Sequence, residues 1–381
     1  MRITGKYAIS TTLGEPVKAY VPNILPPHDL QIDAARATKL SDALQALQKL
    51  TIATSLVASQ EWLIYGFVRK EAVVTSQIEG TQATLIDLLN HEDEKEQTAD
   101  LEEVCNYLAA INYAWGEMTK AKGLPLSLRL IKESHKRLMK GVRGQDKTPG
   151  EFRNSQNWIG GVRPSDATFV PPPPQEMRAC LEELEKYFHE EDDIHPLIRT
   201  AMIHVQFETI HPFLDGNGRI GRLLIVLLLQ KYDLLKSPLL YLSLYFKKHR
   251  GEYYTLLNRV RTHGEWEAWI DFFLDAIKTV AEDVIETSTR LYQVTLRHRE
   301  LILKHPKTTV AALRLFEALP NKPIIDLADA VKRLELTKPT VSKAIKILID
   351  LGILIETSGK MRDRSYRYHD YLEILAEGTE L

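Results

Sequence analysis

Apolar residues recur every three to four positions over most of this chain, which is the spacing of one face of an α-helix. Residues 34–57 and 63–74 follow this pattern near the N-terminus, and residues 85–90 end a further helix. Residues 223–229 are apolar throughout, and the run is far shorter than the ~20 residues that span a bilayer. The pattern therefore predicts a mostly α fold with a buried central helix.

Two stretches depart from the helical spacing. Residues 1–30 contain four prolines, and they predict an extended arm packed on the helical body. Residues 157–163 and 167–170 are β-prone segments that flank turn residues, so they predict a hairpin. A run of four prolines, residues 171–174, ends that hairpin.

The C-terminal part of the chain combines three short helical patterns, residues 310–319, 327–334 and 339–351, with two β-prone segments, residues 353–355 and 366–368. This order resembles a winged helix-turn-helix module. The third helix is expected to bury one face and to expose the other, as a recognition helix does. The buried face is Val341, Ile345 and Leu348, and the exposed face is Ser342, Lys343 and Lys346.

Two roles remain open for this module. Basic residues on the third helix and the hairpin favour DNA binding. They are Lys338, Lys343, Lys346, Lys360, Arg362, Arg364 and Arg367. Scattered carboxylates, and the use of such modules for dimerisation or protein docking, favour a protein partner instead.

Length and charge limit the class of protein. At 381 residues the chain exceeds what one hydrophobic core usually supports, so two or three domains are expected. A net charge of −2 and a pI near 6.7 argue against a globally polycationic nucleic-acid binder. Cys105 and Cys180 suggest neither a disulfide framework nor a metal site, and the first 12 residues lack the apolar stretch of a signal peptide. We therefore expect a cytoplasmic protein that does not enter a membrane.

Candidate chemistry is concentrated in residues 211–222, His-Pro-Phe-Leu-Asp-Gly-Asn-Gly-Arg-Ile-Gly-Arg. The backbone N–H groups of residues 216–218 lie where the central helix begins, so they are expected to form a cradle for an anion. Arg219 and Arg222 follow on one face of that helix, and two guanidinium groups there favour a nucleotide di- or triphosphate.

Two other side chains extend this motif. Asp215 precedes the cradle and is placed to hold Mg²⁺, a hard ion that takes carboxylate and phosphate oxygens together. His211 is the proton acceptor of the motif that titrates near neutral pH, which makes it the candidate general base for a hydroxyl nucleophile. His204, in contrast, lies in an apolar segment and is predicted to be a hydrogen-bonded core histidine.

Residues 211–222 match the signature of the Fic family, His-Pro-Phe-x-(Asp/Glu)-Gly-Asn-Gly-Arg-x-x-Arg, without a departure. The resemblance implies transfer of AMP from ATP to a hydroxyl group of a target protein, with release of pyrophosphate. His211 would deprotonate a target Ser, Thr or Tyr, Asp215 would bind Mg²⁺, and Arg222 would bind the γ-phosphate. Family pattern also assigns a tyrosine beside the nucleotide base, which we take to be Tyr254, with Tyr253 as its rival.

A second motif, Thr75-Ser76-Gln77-Ile78-Glu79-Gly80, follows a helical stretch and ends in a glycine suited to a helix C-cap. In Fic proteins (Ser/Thr)-x-x-x-Glu-(Gly/Asn) is the autoinhibitory motif, and its position here resembles the class whose inhibitory helix is N-terminal. The resemblance implies that Glu79 pairs with Arg222 and occupies the guanidinium group that the γ-phosphate needs. The nucleotide-binding set implied by the family is Glu79, His211, Gly216, Asn217, Gly218, Arg219, Ile220, Gly221, Arg222 and Tyr254.

The resemblance also assigns the predicted hairpin as a flap that aligns an extended target segment by strand addition. The expected fold is mostly α, with a Fic-type helical core, a β-hairpin flap and a C-terminal winged helix-turn-helix (α+β) domain. Its expected parts are an N-terminal helical region (1–120) with the inhibitory motif (75–80), the catalytic core (121–278), a connecting helix (279–304) and the winged-helix domain (305–381).

The preferred activity is that of an autoinhibited protein adenylyltransferase that uses Mg-ATP, with the protein itself among the targets considered. Two alternatives stay open. The same site could remove AMP from a modified protein, with Glu79 orienting the water, or the chain could be a DNA-binding regulator that senses ATP without turnover. A homodimer is compatible with the sequence, which does not specify the oligomeric state.

Overall fold

Helices make up most of the structure, which is a computed structural model that describes residues 2–55, 60–92, 97–141, 145–357, 359 and 364–381. The helices are α1 (Ala34–Ser55), α2 (Gln60–Ile78), α3 (Leu85–His91), α4 (Ala99–Thr119), α5 (Leu128–Leu138), α6 (Pro174–His189), α7 (Pro196–Ile210), α8 (Asn217–Lys231), α9 (Ser243–Lys248), α10 (Arg250–His263), α11 (Trp266–Lys304), α12 (Val310–Ala318), α13 (Leu327–Leu334), α14 (Lys338–Asp350) and α15 (His369–Ala376). The strands are β1 (Gly5–Thr12), β2 (Glu15–Pro22), β3 (Ile324–Asp326), β4 (Leu354–Glu356) and β5 (Ser365–Tyr368). The fold is mostly α-helical with small antiparallel sheets, as predicted.

Two buried helices form the centre of the molecule. Every residue of α7 from Leu197 onward is buried, and α8 is buried continuously from Arg219 to Leu229. A helix that is apolar on all sides must be surrounded by other elements, and α4, α5 and α7 pack against α8. The predicted buried central helix is therefore confirmed, and its N-terminus faces the turn that carries the candidate chemistry.

The N-terminal arm is a β-hairpin rather than the predicted extended segment. Strands β1 and β2 pair antiparallel from Gly5 opposite Pro22 to Thr12 opposite Glu15. The two residues between them, Leu13 and Gly14, have φ values of 51° and 81°, which is the geometry of a tight hairpin turn. The prolines misled the prediction because they stand at the strand ends, where a missing N–H costs little.

The long helix α11 joins the central helices to the C-terminal part of the chain. It packs on α1 and α7 and continues without a break from Trp266 to Lys304. The predicted connecting helix, residues 279–304, is thus the second part of a helix that begins within the predicted catalytic core.

After α11 the chain forms helix α12, strand β3, helices α13 and α14, and strands β4 and β5, with the sheet order β3-β5-β4. Helix α14 buries one face and exposes the other, as predicted from its sequence. The buried residues include Val341, Ile345 and Leu348, and the exposed residues include Ser342, Lys343 and Lys346. Lys360 and Arg362 of the predicted basic tip, like Val57 at the predicted end of the first helix, lie outside the described residues.

The last helix, α15, turns back from this sheet onto α2 and α11. The Tyr371 ring lies 5.9 Å from the Trp62 ring, and Leu375 packs so closely on Gly66 that a Cβ there would lie 2.9 Å from it. The C-terminal segment therefore supports α2, the helix that carries the inhibitory motif.

Among the described residues, no helix has both the length and the apolar character needed to cross a bilayer.

Candidate active site

The turn between α7 and α8 is built by two left-handed residues and one asparagine. His211 caps the end of α7 with φ 49°, and Gly216 precedes α8 with φ 77°. The side chain of Asn217 accepts a hydrogen bond from the Phe213 N–H (2.8 Å) and donates one to the Phe213 carbonyl (2.9 Å). The asparagine thus closes the loop with its side chain, and the first backbone N–H groups of α8, which have no partner within the helix, lie where the cradle was predicted.

A buried histidine that the sequence analysis missed supports this loop from below. His135 on α5 accepts a hydrogen bond at Nδ1 from the Gly150 N–H (2.9 Å) and donates one from Nε2 to the Asp215 carbonyl (3.0 Å). Its ring stacks on Phe213, with the centroids 3.7 Å apart. Burial lowers the pKa of His135 to about 4, so the ring is neutral and its tautomer is set by these two partners.

His211 presents one ring nitrogen as a base. Its Nδ1 lies 3.4 Å from the Glu208 carbonyl, to which it donates, so the lone pair of Nε2 remains to accept a proton. Burial, together with the charges of Arg261 and Arg153, lowers the pKa of His211 to about 3. The fully buried Arg153 also donates to the His211 carbonyl (2.9 Å) and thereby holds the backbone of the base.

Asp215 lies at the open side of the cradle. Its side chain is 50% exposed, Oδ1 accepts a hydrogen bond from the Gly216 N–H (2.6 Å), and the same oxygen is 3.7 Å from Arg219 Nη2. Among the described residues, no group of three or more His, Cys, Asp or Glu side chains could hold a metal ion. A single exposed carboxylate beside a phosphate cradle suits Mg²⁺, since this ion keeps several waters and takes its other ligands from phosphates.

The inhibitory motif ends α2 in the way its glycine predicts. Gly80, with φ 104°, donates its N–H to the Gln77 carbonyl (3.0 Å), and the Thr81 N–H reaches the Ser76 carbonyl (3.2 Å). This pair of bonds is the Schellman arrangement that closes a helix at an αL glycine. It points Glu79, the residue before Gly80, towards α8.

Glu79 and Thr75 together occupy the Arg222 guanidinium group. Arg222 donates from Nε to Thr75 Oγ1 (2.6 Å), and from Nη2 to the Thr75 carbonyl (3.0 Å) and to Glu79 Oε1 (2.7 Å). A Cβ at Gly218 would lie 2.4 Å from Glu79 Oε1, so the carboxylate sits directly over the cradle. An acidic group therefore lies where the backbone is arranged for an anion.

The ion pair is charged on both sides. Burial opposes ionisation of Glu79, but the charge and the hydrogen bond of Arg222 outweigh it and lower the pKa of the carboxyl group. Burial also opposes the charge of Arg222, and the Glu79 carboxylate outweighs it in turn and raises the pKa of the guanidinium group. The side chain of Arg222 is 2% exposed and that of Glu79 33%, so the pair is shielded mainly on the arginine side.

Arg219 has a different partner that the sequence analysis also missed. Its Nη1 lies 2.5 Å from Oε1 of Glu103 on α4, and the two side chains are 6% and 13% exposed. The next two motif residues serve packing. Ile220 is buried in the core, and a Cβ at Gly221 would lie 2.2 Å from Glu208 Oε1, so neither offers a side chain to the cradle.

The two candidate tyrosines have separate environments. Tyr253 is buried, and its hydroxyl group lies 2.8 Å from Nε2 of His204, whose Nδ1 lies 3.0 Å from the Gly221 carbonyl. His204 is thus the hydrogen-bonded core histidine that the sequence predicted. Tyr254 is 44% exposed, and it is the tyrosine of this pair with a face open to a ligand.

The predicted flap is a loop closed by one β-bridge. Ile159 and Phe169 exchange two backbone hydrogen bonds of 2.8 and 3.1 Å, and Gly160 and Gly161, both with φ 72°, end the pairing on one side. The Tyr20 N–H of β2 donates to the Val170 carbonyl (2.9 Å), which joins the flap to the N-terminal hairpin. Left-handed glycines interrupt a strand, which explains why the pairing is shorter than predicted.

Two family models and several curated proteins match parts of this chain. The model described as "Fic/DOC family" matches residues 125–229, and the model described as "Fic/DOC family N-terminal" matches residues 37–116. "Protein adenylyltransferase Fic" of Drosophila grimshawi is 31% identical over 156 residues, which are 40% of this chain and 29% of that protein. The protein of the same name from Drosophila erecta is 30% identical over 156 residues, 40% of this chain and 28% of its own length. The chain thus spans less than a third of these relatives.

Solved structures share the fold at low identity. A Fic family protein from Desulfovibrio desulfuricans G20 superposes with a TM-score of 0.57 at 19% identity, covering 89% of this chain and 97% of that one. Fic-1 (residues 134–508) from C. elegans gives a TM-score of 0.52 at 19% identity, over 66% of this chain and 74% of the other. Both likenesses concern the helical fold.

Proposed function

The chain belongs to the Fic/DOC family, and from this premise we propose that it is an autoinhibited protein adenylyltransferase, which transfers AMP from Mg-ATP to a hydroxyl group of a target protein. One observation carries the proposal: the Glu79 carboxylate lies over Gly218 and on Arg222, in the position that the start of α8 prepares for phosphate. A site that holds an anion of the chain's own in its resting state is built for a regulated anionic substrate.

In the proposed reaction His211 acts as the base. Its Nε2 takes the proton of a target Ser, Thr or Tyr hydroxyl, whose oxygen attacks the α-phosphorus of ATP. The bond from that phosphorus to the bridging oxygen breaks, and pyrophosphate leaves. The backbone of residues 216–218, with Arg219 and Arg222, would hold the phosphates of ATP. Tyr254 would lie beside the nucleotide base. Asp215 would hold Mg²⁺, which when bound neutralises phosphate charge.

Inhibition would follow from competition for one guanidinium group. With Nε and Nη2 of Arg222 engaged by Thr75 and Glu79, the γ-phosphate would lose the guanidinium donors it needs, and the α-phosphorus would not be aligned for attack. A partly desolvated ion pair that biases the site by roughly 2 to 4 kcal/mol would suppress transfer by tens to several hundred-fold.

The test is incubation of wild type and Glu79→Gly with Mg²⁺ and α-labelled ATP in a lysate, followed by mass spectrometry. We expect tens to several hundred-fold more labelled protein with the variant, and a mass increase of AMP on a hydroxyl side chain. A parallel reaction with γ-labelled ATP is the control, since AMP transfer leaves that label in pyrophosphate. Equal incorporation of the α-label by wild type and variant would contradict autoinhibition. An increase in γ-label on protein that depends on the variant, above the level that the lysate's kinases give without it, would contradict AMP transfer.

We propose that the target segment docks on the flap. Residues 160–163 are exposed at its tip, while the opposite side is engaged by β2 through the Tyr20–Val170 bond. This leaves one edge of the flap for an extended segment that adds as a strand. Asn157 donates to the Phe213 carbonyl (3.0 Å) and so ties that edge to the loop that carries the base.

Removal of AMP is the second candidate for the same site. It is supported by the ionised Glu79 carboxylate over the cradle, where it could orient a water for attack on a modified hydroxyl group. Release of free AMP from a modified target by the wild-type protein, lost in Glu79→Gly, would favour this activity over transfer.

For the C-terminal module we propose duplex DNA as the partner, on the basis of the exposed lysines Lys338, Lys343 and Lys346 at the start and outer face of α14. Fluorescence anisotropy with a labelled duplex should give binding that weakens steeply as salt rises. Failure to retain any duplex at low salt would remove this role and favour a protein partner.

A further inference from the structure

The two arginines of the motif meet carboxylates from two different helices of the N-terminal region. Arg222 pairs with Glu79 at the end of α2, and Arg219 pairs with Glu103 in the second turn of α4. The family signature includes no residue of α4, and the inhibitory motif ends at Gly80. Neither motif therefore accounts for the pair between Arg219 and Glu103.

In the described part of the chain, Glu103 contacts one of the three guanidinium nitrogens of Arg219. Nη1 is engaged by Glu103, Nη2 is 3.7 Å from Asp215 Oδ1, which is too long for a hydrogen bond, and Nε is buried without a hydrogen-bond partner among the described residues. At Arg222, in contrast, Nε and Nη2 both have partners from α2. Arg219 is thus held at one end and retains donors for a ligand.

Space for a rearrangement exists beside this pair. A cavity of about 60 Å³ lies beside the pair, and its lining includes Glu102, Glu103, Asn106, Lys140, Asp215 and Arg219 together with the apolar residues Ala99, Leu138 and Met139. The guanidinium group of Arg219 therefore lies between the cradle, the Asp215 carboxylate and a small cavity, into which it could turn without the Glu103 anchor.

We propose that Glu103 is a positioning residue for ATP: it fixes the Arg219 guanidinium group so that the remaining N–H donors meet the nucleotide phosphates beside Asp215. The proposal rests on the proposed function and adds α4 to the nucleotide site. An arginine that is already anchored loses less side-chain entropy when it binds phosphate. The N-terminal region would thus both block ATP, through Glu79, and support its binding, through Glu103.

The expected signature is a change in KM. Arg219 contacts phosphate in both the bound substrate and the transition state, so a loosened Arg219 weakens both equally and raises KM without lowering kcat. A merely structural role of Glu103 would instead reduce the fraction of folded enzyme, which lowers the apparent kcat and leaves KM unchanged.

The experiment uses Glu79→Gly as background, so that Arg222 is available. Glu103→Gln keeps the shape of the side chain and removes its charge, Glu103→Asp keeps the charge, and Glu102→Gln is the matched control, because Glu102 lines the same cavity but is not the partner of Arg219. Initial rates of AMP transfer over a range of ATP concentrations give KM and kcat. Calorimetric titration with Mg-ATP in the absence of a target gives the affinity directly.

We expect Glu103→Gln to raise KM and the dissociation constant for ATP about ten-fold, the scale of one charge-assisted hydrogen bond. For Glu103→Asp, both values should lie between those of the background and of Glu103→Gln. For Glu102→Gln, both should equal those of the background. An unchanged or lower KM in Glu103→Gln would overturn the proposal, the lower value identifying Glu103 as a second inhibitory carboxylate. If the background transfers no AMP, the proposed function fails, while the calorimetric titration still decides whether Glu103 supports nucleotide binding.

Discussion

Arg219 and Arg222 lie one turn apart on α8, and the proposed inhibition rests on a difference between the surroundings of the two arginines. Arg222 donates from Nε and Nη2 to Thr75 and Glu79. Among the described residues, Arg219 pairs with Glu103 and, at 3.7 Å, with Asp215, and its Nε has no hydrogen-bond partner. In the proposed scheme, Arg222 is blocked from binding phosphate and Arg219 is positioned to bind it. The difference is how many of the five N–H donors of each guanidinium group are bonded to the protein itself.

The elements that supply the two carboxylates also differ. Glu79 stands at a helix end, where the last turn can open at lower cost than the middle of a helix, and Glu103 stands within α4. The end of α2 is held by the C-terminal segment, since Gln77 donates to the Thr379 carbonyl (2.8 Å) and accepts from Lys247 (2.8 Å). An inhibitory contact from Glu79 at a helix end can be released without unfolding the site. Glu103, which is proposed to position Arg219, lies within a helix that does not have to move.

The largest expected effect comes from replacing His211, the proposed general base. In the Glu79→Gly background, His211→Ala should lower AMP transfer by about 10²- to 10⁴-fold, the range of general-base catalysis, because it removes the proposed acceptor of the hydroxyl proton. Calorimetric titration should show ATP binding within about two-fold of the background, since the arginines and the cradle remain. If labelling persists unchanged, the site senses ATP without this chemistry.

A smaller effect separates the hydrogen bond of Thr75 from the charge of Glu79. Thr75→Val removes the acceptor of Arg222 Nε and should raise basal AMP transfer about ten-fold, the scale of a hydrogen bond to a charged group. Ser76→Ala is the matched control, because the neighbouring hydroxyl is buried and has no hydrogen-bond partner among the described residues. An equal rise in both variants, measured by α-label incorporation, would mean that any loosening of α2 activates the enzyme and that Arg222 is not the point of control.

The smallest expected effect is a flat pH profile. The pKa of His211 is lowered to about 3, so the imidazole stays neutral and able to accept a proton throughout the range from pH 8 to pH 5.5. The kcat/KM of Glu79→Gly should therefore vary less than about two-fold over that range, whereas a histidine near its ordinary value would lose activity below about pH 6.5. A decline centred near pH 6.5 would show that the base is more solvated than the structure indicates.

Local sequence patterns were sufficient to predict the helices and the order of the candidate site residues. The cradle, the order of His211, Asp215 and the two arginines, the C-cap at Gly80 and the two faces of α14 all depend on residues within a few turns of one another, so periodicity and spacing could predict them.

Contacts between residues far apart in the sequence depend on the packing of the helices and could not be predicted from local patterns. His135 holds the Asp215 carbonyl from 80 residues away, Arg153 holds the backbone of His211, and Glu103 meets Arg219 across two helices. It also decided that the N-terminal arm pairs as a hairpin and that the flap keeps a single bridge. These contacts follow from how α4, α5 and α8 pack, and a buried polar side chain gives no periodic signal of the partner that will satisfy it.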